Sequence, residues 1–273
     1  MSVEKPTIQK SSESEGGLLP EVAELEEPIK KIIEKIKDRI EGGEYGLIIG
    51  DDAGGRIPTL ILGGFIQKIS ENEARQKPSL IFIPGKQALK GGLEGRPLLK
   101  KIFERRGLLK LREVQERELN DHLIKYGATK DKKILIVTDT VKSGYSLKTL
   151  TTLLRSLGYN YEIATIGIEP SPINKNSFRE ALGGADIFSG AYYSKEKKED
   201  RHTPRIYSQE GEKYTGVRKF EGDRSSIALK RLFSPDESPE EIQEAINQSR
   251  HDSSFVVDRL VEWYQGQKPK DDQ

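Results

Sequence analysis

The chain has 273 residues, of which 34% are hydrophobic and 33% charged, a composition that suits one α/β domain with polar appendages. Lys plus Arg number 45 and Asp plus Glu number 44, so the net charge of +1 gives no overall attraction to nucleic acid or acidic membranes. The absence of cysteine excludes disulfides and thiolate zinc sites.

Polar segments occupy both ends of the chain. Residues 1–19 and 265–273 are rich in charged and small side chains and predict disordered tails. The first residues lack the apolar core of a secretion signal, and no run approaches 18 apolar residues. We therefore expect a cytoplasmic protein with no membrane partner.

The core pattern is an alternation of helices and short apolar runs. Isoleucines at helical spacing between Pro28 and Gly42 predict an amphipathic helix that leads into the domain. Pro58 predicts the first position of a second helix, and Gly158 the end of a leucine-faced third. Four runs are typical of buried parallel strands: Tyr45 to Gly50, Ser79 to Pro84, Ile134 to Val137 and Ile163 to Ile168. This alternation predicts an α/β fold with a doubly wound, mainly parallel sheet.

Two further regions complete the predicted organisation. Residues 87–127 are dominated by helix formers and predict a helical insertion within a domain spanning 20–195. After the last of the four apolar runs, the sequence predicts a possible strand from Asp186 to Tyr193 and then a charged loop. Residues 196–264 predict a C-terminal region with two or three helices, one opened by a capping box from Ser238 to Glu241 and another carrying Trp263 packed on the domain.

The most informative segment is ILIVTDTVKSGYSL, residues 134–147, where a buried strand runs into a hydroxyl-rich turn and a helix. Ligands of open α/β sheets bind beyond the carboxyl ends of strands, and helix N-termini attract anions. Asp139 could accept hydrogen bonds from sugar hydroxyls or reach Mg²⁺ through water. An ordinary turn with a serine N-cap is the alternative. The predicted phosphate-binding residues are Lys142, Ser143, Gly144, Tyr145 and Ser146.

This segment resembles the phosphoribosyl pyrophosphate-binding motif of type I phosphoribosyltransferases. That motif has an apolar strand, two acidic residues and a loop ending in Thr-Gly-x-Thr. Here Thr138 and Asp139 occupy the acidic pair, and Ser143 to Ser146 end the loop. The resemblance implies a ribose contact for both members of the pair. Thr138 departs from the motif because it brings a neutral hydroxyl in place of the first acid.

A second segment, GLIIGDDAGGRIPTLIL at residues 46–62, repeats the layout of strand, glycine turn and helix. It resembles the pyrophosphate loop of the same family, and particularly the Asp-Ala-Gly-Gly segment of phosphoribosyl pyrophosphate synthetases. Arg56 would pair with pyrophosphate oxygens in a bidentate fashion. The alternatives are an ordinary turn after the strand for Gly54 and Gly55, a surface position for Arg56 and a solvated side chain for Lys86. The resemblance implies pyrophosphate contacts for Asp52, Ala53, Gly54, Gly55, Arg56 and Lys86.

The resemblance covers about residues 29–170 and implies a reaction of nucleotide metabolism. This would be Mg²⁺-dependent transfer of a phosphoribosyl group to a nitrogenous acceptor with release of pyrophosphate, with Asp139 and Arg56 as catalytic residues. The implied partners are a sugar phosphate and the acceptor, and nucleic acid is not expected. The insertion, with Arg105 to Gly107, would form a lid or a homodimer contact, or would only pack on the domain.

Other functions remain open at this stage. A non-catalytic regulatory or nucleotide-binding module of the same fold is favoured by Thr138. A synthetase relative is supported by the Asp-Ala-Gly-Gly segment, but the sequence shows no second copy of the fold and no ATP loop. The charged helices could also recruit a protein partner. The aromatic and basic segment 203–224 could stack a base or bind nucleic acid, although a solvated loop is the favoured interpretation.

Overall fold

A computed structural model describes residues 17–83, 113–141, 144–168, 182–192 and 239–267. In chain order, the elements are α1 (Pro20–Ala23), α2 (Glu26–Glu41), β1 (Tyr45–Asp51), α3 (Asp52–Asn72), β2 (Ser79–Ile83), α4 (113–125), β3 (Lys133–Val141), α5 (Tyr145–Ser156), β4 (Tyr161–Ile168), β5 (Ile187–Tyr192) and α6 (Pro239–Gly266).

The five strands form one parallel sheet in the order β2-β1-β3-β4-β5. This confirms the predicted α/β class, the four apolar strands and the possible fifth. The chain moves outward from β1 to β2, then returns across β1 to β3 and continues the other way to β4 and β5. Such a reversal opens a crevice at the carboxyl ends of the two strands that flank it, here β1 and β3.

Helices cover both faces of the sheet. On one face, α2, α3 and α6 bury a cluster that includes Ile33, Phe65 and Tyr264 against β1, β3 and β4. On the other face, α4 and α5 contribute Leu123 and Leu150 to a second cluster against the same sheet. Burial on both faces explains why the central strands read as continuous apolar runs.

Helix α2 confirms the isoleucine pattern, since Ile29, Ile32, Ile33, Ile36 and Ile40 are all buried. The helix starts directly against β5. A Cβ on Gly190 would lie 2.4 Å from the carbonyl oxygen of Pro28, so only glycine permits this contact.

The start of α3 corrects one prediction. The helix begins at Asp52, and Pro58 lies inside it rather than at its first position. Proline in a helix interior removes the hydrogen bond to the carbonyl four residues earlier, at a cost of about 3 kcal/mol. That carbonyl belongs to Gly54. Apolar burial of Ile57, Ile61 and Phe65 along the same helix offsets the lost bond.

Glycine also marks both ends of α5. Gly144, with φ of 68°, is its N-cap, and Gly158, with φ of 73°, follows its last turn as predicted. At the C-terminus, residues that the sequence divided between a helix opened by the capping box and a helix carrying Trp263 form the single 28-residue helix α6. Trp263 packs against the core as predicted. Because α6 buries its apolar side in the same cluster as α2 and α3, it belongs to the main helical layer.

An ion-pair cluster stabilises the amino end of the sheet, opposite the crevice. Glu162 of β4 is only 4% exposed and accepts hydrogen bonds from Arg39 Nε and Lys133 Nζ, both 2.8 Å long, and from Tyr45 Oη, 2.7 Å long. Burial by itself raises the pKa of the Glu162 carboxyl. Hydrogen bonds from Lys133, Tyr45 and Arg39 outweigh that effect, so its pKa lies below its ordinary value.

Several predicted features lie outside the described residues. They are both predicted tails apart from residues 17–19 and 265–267, the insertion apart from 113–127, Lys86, Arg105 to Gly107, Lys142, Ser143, segment 203–224 and Ser238. Of the helices that are described, none has the length and apolar character needed to cross a membrane.

Candidate functional site

Polar side chains meet where β1 ends and β3 approaches its last residue, Val141. Gly50 of β1 pairs with Val137 of β3, which brings the next residues, Asp51 and Thr138, side by side. The Thr138 hydroxyl lies 3.3 Å from Asp51 Oδ2 and 3.4 Å from Asp139 Oδ1. Asp51, Thr138 and Asp139 are 5%, 2% and 8% exposed. Two carboxylates are therefore gathered around one hydroxyl at the floor of the crevice.

A threonine hydroxyl carries one hydrogen and cannot donate it to both carboxylates at once. At any moment, therefore, one of the two nearby carboxylate oxygens is not the acceptor of the Thr138 hydrogen. Buried carboxylates at such a position suit ligands that bring hydrogen-bond donors or positive charge. Sugar hydroxyls and a hydrated divalent cation both meet that description.

The first turn of α3 lies directly on the end of β3. A Cβ on Gly54 would be 2.4 Å from Asp139 Oδ2, and a Cβ on Gly55 would be 2.6 Å from the Val137 carbonyl oxygen. Both distances are far below normal carbon–oxygen contacts. The glycine pair therefore allows the N-terminus of α3 to approach the Asp139 carboxylate, within a helix rather than in the separate turn that the sequence predicted.

Asp51 occupies the N-cap position of α3, yet its side chain makes no capping hydrogen bond. Aspartate at an N-cap usually accepts a hydrogen bond from a first-turn N–H and stabilises the helix by about 1 kcal/mol. Here one carboxylate oxygen faces the Thr138 hydroxyl on the neighbouring strand instead. The first-turn N–H groups of α3 consequently have no cap from Asp51.

A threonine on β4 holds the end of β3 in place. The buried Thr165 hydroxyl lies 3.1 Å from the Asp139 carbonyl oxygen and 2.9 Å from that of Gly167. These contacts fix the backbone from which the Asp139 side chain projects.

Helix α5 begins at Tyr145, four residues after Val141 ends β3. Gly144 takes a left-handed conformation there, which only glycine adopts at little cost. Glycine has no side chain with which to cap the helix, and the first-turn N–H groups of any helix lack partners within it. The N-terminus of α5 thus has the donors and the dipole orientation that a phosphate needs.

Arg56 is exposed on the first turns of α3, and its guanidinium lies over the ring of Phe82 at 5.9 Å from the centroid. Phe82, 38% exposed, belongs to β2 near its carboxyl end. The aromatic face supports a cation close to the rim of the crevice. This is the side of α3 on which the sequence predicted a pyrophosphate contact.

The donor set fits Mg²⁺ held jointly with a ligand. Among the described residues, no three His, Asp or Glu side chains are grouped as an ion site. Mg²⁺ in phosphate-binding enzymes is usually held by one or two carboxylates together with substrate oxygens and water. Asp51 and Asp139 provide two buried carboxylates at one hydroxyl, which matches that requirement.

The structure thus brings Thr138, Asp139, Gly54 and Gly55 together and places Gly144 at the next helix start. Lys86, Lys142 and Ser143 lie outside the described residues, and so do the side chains of Asp52, Ala53, Tyr145 and Ser146. Sequence analysis missed Asp51, although its position at the end of an apolar run was a usable signal. It also missed Thr165, whose only sequence signal is a polar side chain between Ala164 and Ile166.

Comparisons with known proteins gave matches to solved structures only. No family model matches the sequence, and no curated protein matches it. Similar solved structures include purine phosphoribosyltransferase from Pyrococcus horikoshii, with 17% identity, 63% of this chain and 82% of that chain covered, and a TM-score of 0.32. Hypoxanthine-guanine phosphoribosyltransferase from Schistosoma mansoni has 15% identity and a TM-score of 0.35, with 64% of this chain and 66% of that chain covered. Adenine phosphoribosyltransferase from Thermoanaerobacter pseudethanolicus has 16% identity and a TM-score of 0.31, with 60% of this chain and 80% of that chain covered. Fold likeness at this level does not fix function, which depends on the side chains at the strand ends.

Proposed function

We propose that the protein binds phosphoribosyl pyrophosphate with Mg²⁺ and transfers its phosphoribosyl group to a nitrogenous acceptor. The observation that carries this proposal is the meeting of Asp51, Thr138 and Asp139 at the crevice between β1 and β3, with a helix N-terminus following each strand. A sugar with a phosphate at each end needs this combination of hydroxyl acceptors and two anion sites.

The ribose would lie over the end of β3. Asp139 accepts hydrogen bonds from the sugar hydroxyls, and the Thr138 hydroxyl can accept one while donating its own hydrogen to a carboxylate. Contacts from Thr165 to the Asp139 backbone keep this acceptor in position. Fixing the sugar in this way aligns its C1 atom for attack.

The 5-phosphate would bind at the start of α5, where N–H groups of the first turn point toward the strand ends. Gly144 allows the backbone to reach the phosphate, and Lys142, Ser143, Tyr145 and Ser146 would add donors from the same loop. This site recognises charge and shape rather than the acceptor.

The pyrophosphate would lie at the start of α3, beside Asp52, Ala53, Gly54 and Gly55. Arg56, supported on Phe82, and Lys86 would neutralise its oxygens. Mg²⁺, when bound with the substrate through Asp139 and water, would supply further positive charge to the leaving group.

The reaction forms one bond and breaks another. A lone pair on the acceptor nitrogen attacks C1 of the ribosyl group, and the bond between C1 and the pyrophosphate oxygen breaks with its electrons leaving on pyrophosphate. The acceptor nitrogen then loses its proton to solvent. Charge builds up on the departing oxygens, so the α3 N-terminus and Arg56 stabilise the transition state more than the ground state.

A non-catalytic binding module is the second candidate, and Thr138 is the observation that favours it. A neutral hydroxyl stands where the resembling motif has an acid, so the ribose would be held with less negative charge from β3. Such a module would bind phosphoribosyl pyrophosphate or a nucleotide without releasing pyrophosphate.

The test combines binding with turnover. The purified protein is titrated with phosphoribosyl pyrophosphate and Mg²⁺ in a calorimeter, and pyrophosphate release is then followed with a panel of nitrogenous bases. Binding with release that depends on one base supports a transferase, and binding without release supports the module. Asp139→Asn and Arg56→Ala should weaken binding or release, whereas Glu162→Gln, a buried carboxylate at the opposite end of the sheet, should affect neither.

A further inference from the structure

We infer that Asp51 is a ligand-binding residue that supplies, from the neighbouring strand, the negative charge that Thr138 does not bring to β3. Asp51 and Asp139 would together hold the sugar hydroxyls, with the Thr138 hydroxyl between them. The inference rests on the proposed function and extends it to a residue to which neither resemblance assigns a role.

The position of the Asp51 side chain is the first argument. As the N-cap of α3, Asp51 could stabilise its own helix, and it makes no capping bond. One of its oxygens lies 3.3 Å from the Thr138 hydroxyl, across the strand pair. Asp51 is almost fully buried, and its carboxylate lies beside the same hydroxyl as that of Asp139 rather than on its own helix.

The arrangement of the three groups is the second argument. Acid, hydroxyl and acid follow one another across the ends of β1 and β3, with separations of 3.3 and 3.4 Å. A pair of neighbouring sugar hydroxyls presents two hydrogens and needs two acceptors. Asp51 and Asp139 provide them, and Thr138 can turn its single hydrogen toward whichever carboxylate the ligand engages less.

The close approach of α3 to β3 is the third argument. Because Gly54 and Gly55 have no side chains, the helix start comes close to Asp139 and carries Asp51, immediately before it, to the same place. The negative charge around the Thr138 hydroxyl therefore comes from both β1 and β3. Substitutions at Asp51 and Thr138 can move one carboxylate from β1 to β3.

Relocation of the charge tests the inference. Calorimetric titration with phosphoribosyl pyrophosphate and Mg²⁺ is carried out on the full chain, on Asp51→Asn and on the double variant Asp51→Asn with Thr138→Asp. Loss of a hydrogen bond to a charged group weakens binding by roughly 10- to 100-fold. We expect that loss in Asp51→Asn and recovery of most of it in the double variant, where the acid returns to β3. Melting curves verify folding, and Asp51→Ser replaces Asp51→Asn should the latter not fold.

Two results would overturn the inference. Binding by Asp51→Asn at the strength of the wild-type protein, together with loss of binding in Asp139→Asn, would exclude Asp51 and leave the proposed function intact. Weak binding in Asp51→Asn that Thr138→Asp does not restore would show that Asp51 acts by shaping the strand end and not by its charge. If the wild-type protein does not bind, the proposed function itself fails, whatever the variants do.

Discussion

The backbone of Gly54 lies against the carboxylate of Asp139 so closely that a Cβ would sit 2.4 Å from Oδ2 and 2.5 Å from Cγ. The strand fixes the Asp139 backbone and the first turn of α3 fixes Gly54, so an added methyl group must turn the Asp139 side chain away or shift the helix start. Gly54→Ala should therefore displace the carboxylate or the helix start. We expect the free energy of unfolding to fall by about 1–3 kcal/mol and ligand binding to be lost, measured by denaturant titration and calorimetry.

The matched control is Gly266→Ala, near the end of α6, where a Cβ would meet nothing within 4 Å. It should leave both unfolding and binding unchanged. Equal stability of Gly54→Ala and the wild-type protein would show that the contact with Asp139 yields without consequence, and it would remove the packing role assigned here to the glycine.

The Arg56 guanidinium lies over the uncharged ring of Phe82, so the ring can be replaced without changing the charge of the site. Phe82→Leu keeps an apolar side chain but removes the ring beneath the guanidinium. Cation–π contacts at exposed positions contribute about 0.5–1 kcal/mol, so phosphoribosyl pyrophosphate should bind about two- to fivefold more weakly. Phe255→Leu, which alters an exposed ring on α6, is the control and should bind normally. Unchanged affinity in Phe82→Leu would mean that Arg56 needs no support from the ring.

The Tyr45 hydroxyl and the Glu162 carboxylate illustrate the stabilising role of the opposite end of the sheet. Tyr45→Phe removes the donor 2.7 Å from Glu162 Oε2 and leaves that buried oxygen with one partner fewer. The free energy of unfolding should fall by about 1–3 kcal/mol, as measured by urea titration. Tyr126→Phe, on a half-exposed ring beyond α4, should have little effect. Full stability of Tyr45→Phe would indicate that Arg39 and Lys133 satisfy the carboxylate alone.

The same cluster predicts a pH dependence of stability. Because the pKa of Glu162 is lower in the folded protein than its ordinary value of 4.5, the unfolded chain takes up the proton first as the pH falls. Its contribution is therefore complete above pH 4.5 and is lost progressively below it. Urea unfolding in steps down to about pH 3 should show this loss, and Glu162→Gln should show less of it. An equal acid slope in both proteins would assign the loss to other carboxylates.

Much of the fold follows from local sequence patterns, because burial on both faces leaves an apolar run for each central strand. Helix α2 and the end of α5 were also predictable, because the helical spacing of isoleucines and a glycine after the last turn are local signals. The start of α3 was not, because Pro58 reads as a first-turn residue unless tertiary burial compensates for its missing hydrogen bond.

The site was only partly predictable. Asp139 and the glycine pair stand in recognisable segments, but the contact between Asp51 and Thr138 joins residues 87 positions apart and depends on which strands become neighbours. Sequence analysis gave Asp52 a pyrophosphate contact and gave Asp51 no role, whereas the structure brings Asp51 beside Thr138 of β3. The position of Asp51 at the end of an apolar run was a local signal, but its contact with Thr138 follows only from the strand order and the register.

The central claim is that the crevice between β1 and β3 binds a phosphorylated ribose, and calorimetric titration of the purified chain with phosphoribosyl pyrophosphate tests it most directly. The titration is run with and without Mg²⁺, and in parallel on Asp139→Asn and Glu162→Gln. We predict saturable binding that Mg²⁺ strengthens, that Asp139→Asn loses and that Glu162→Gln retains. No binding by the wild-type protein, or equal binding by wild type and Asp139→Asn, would contradict the account.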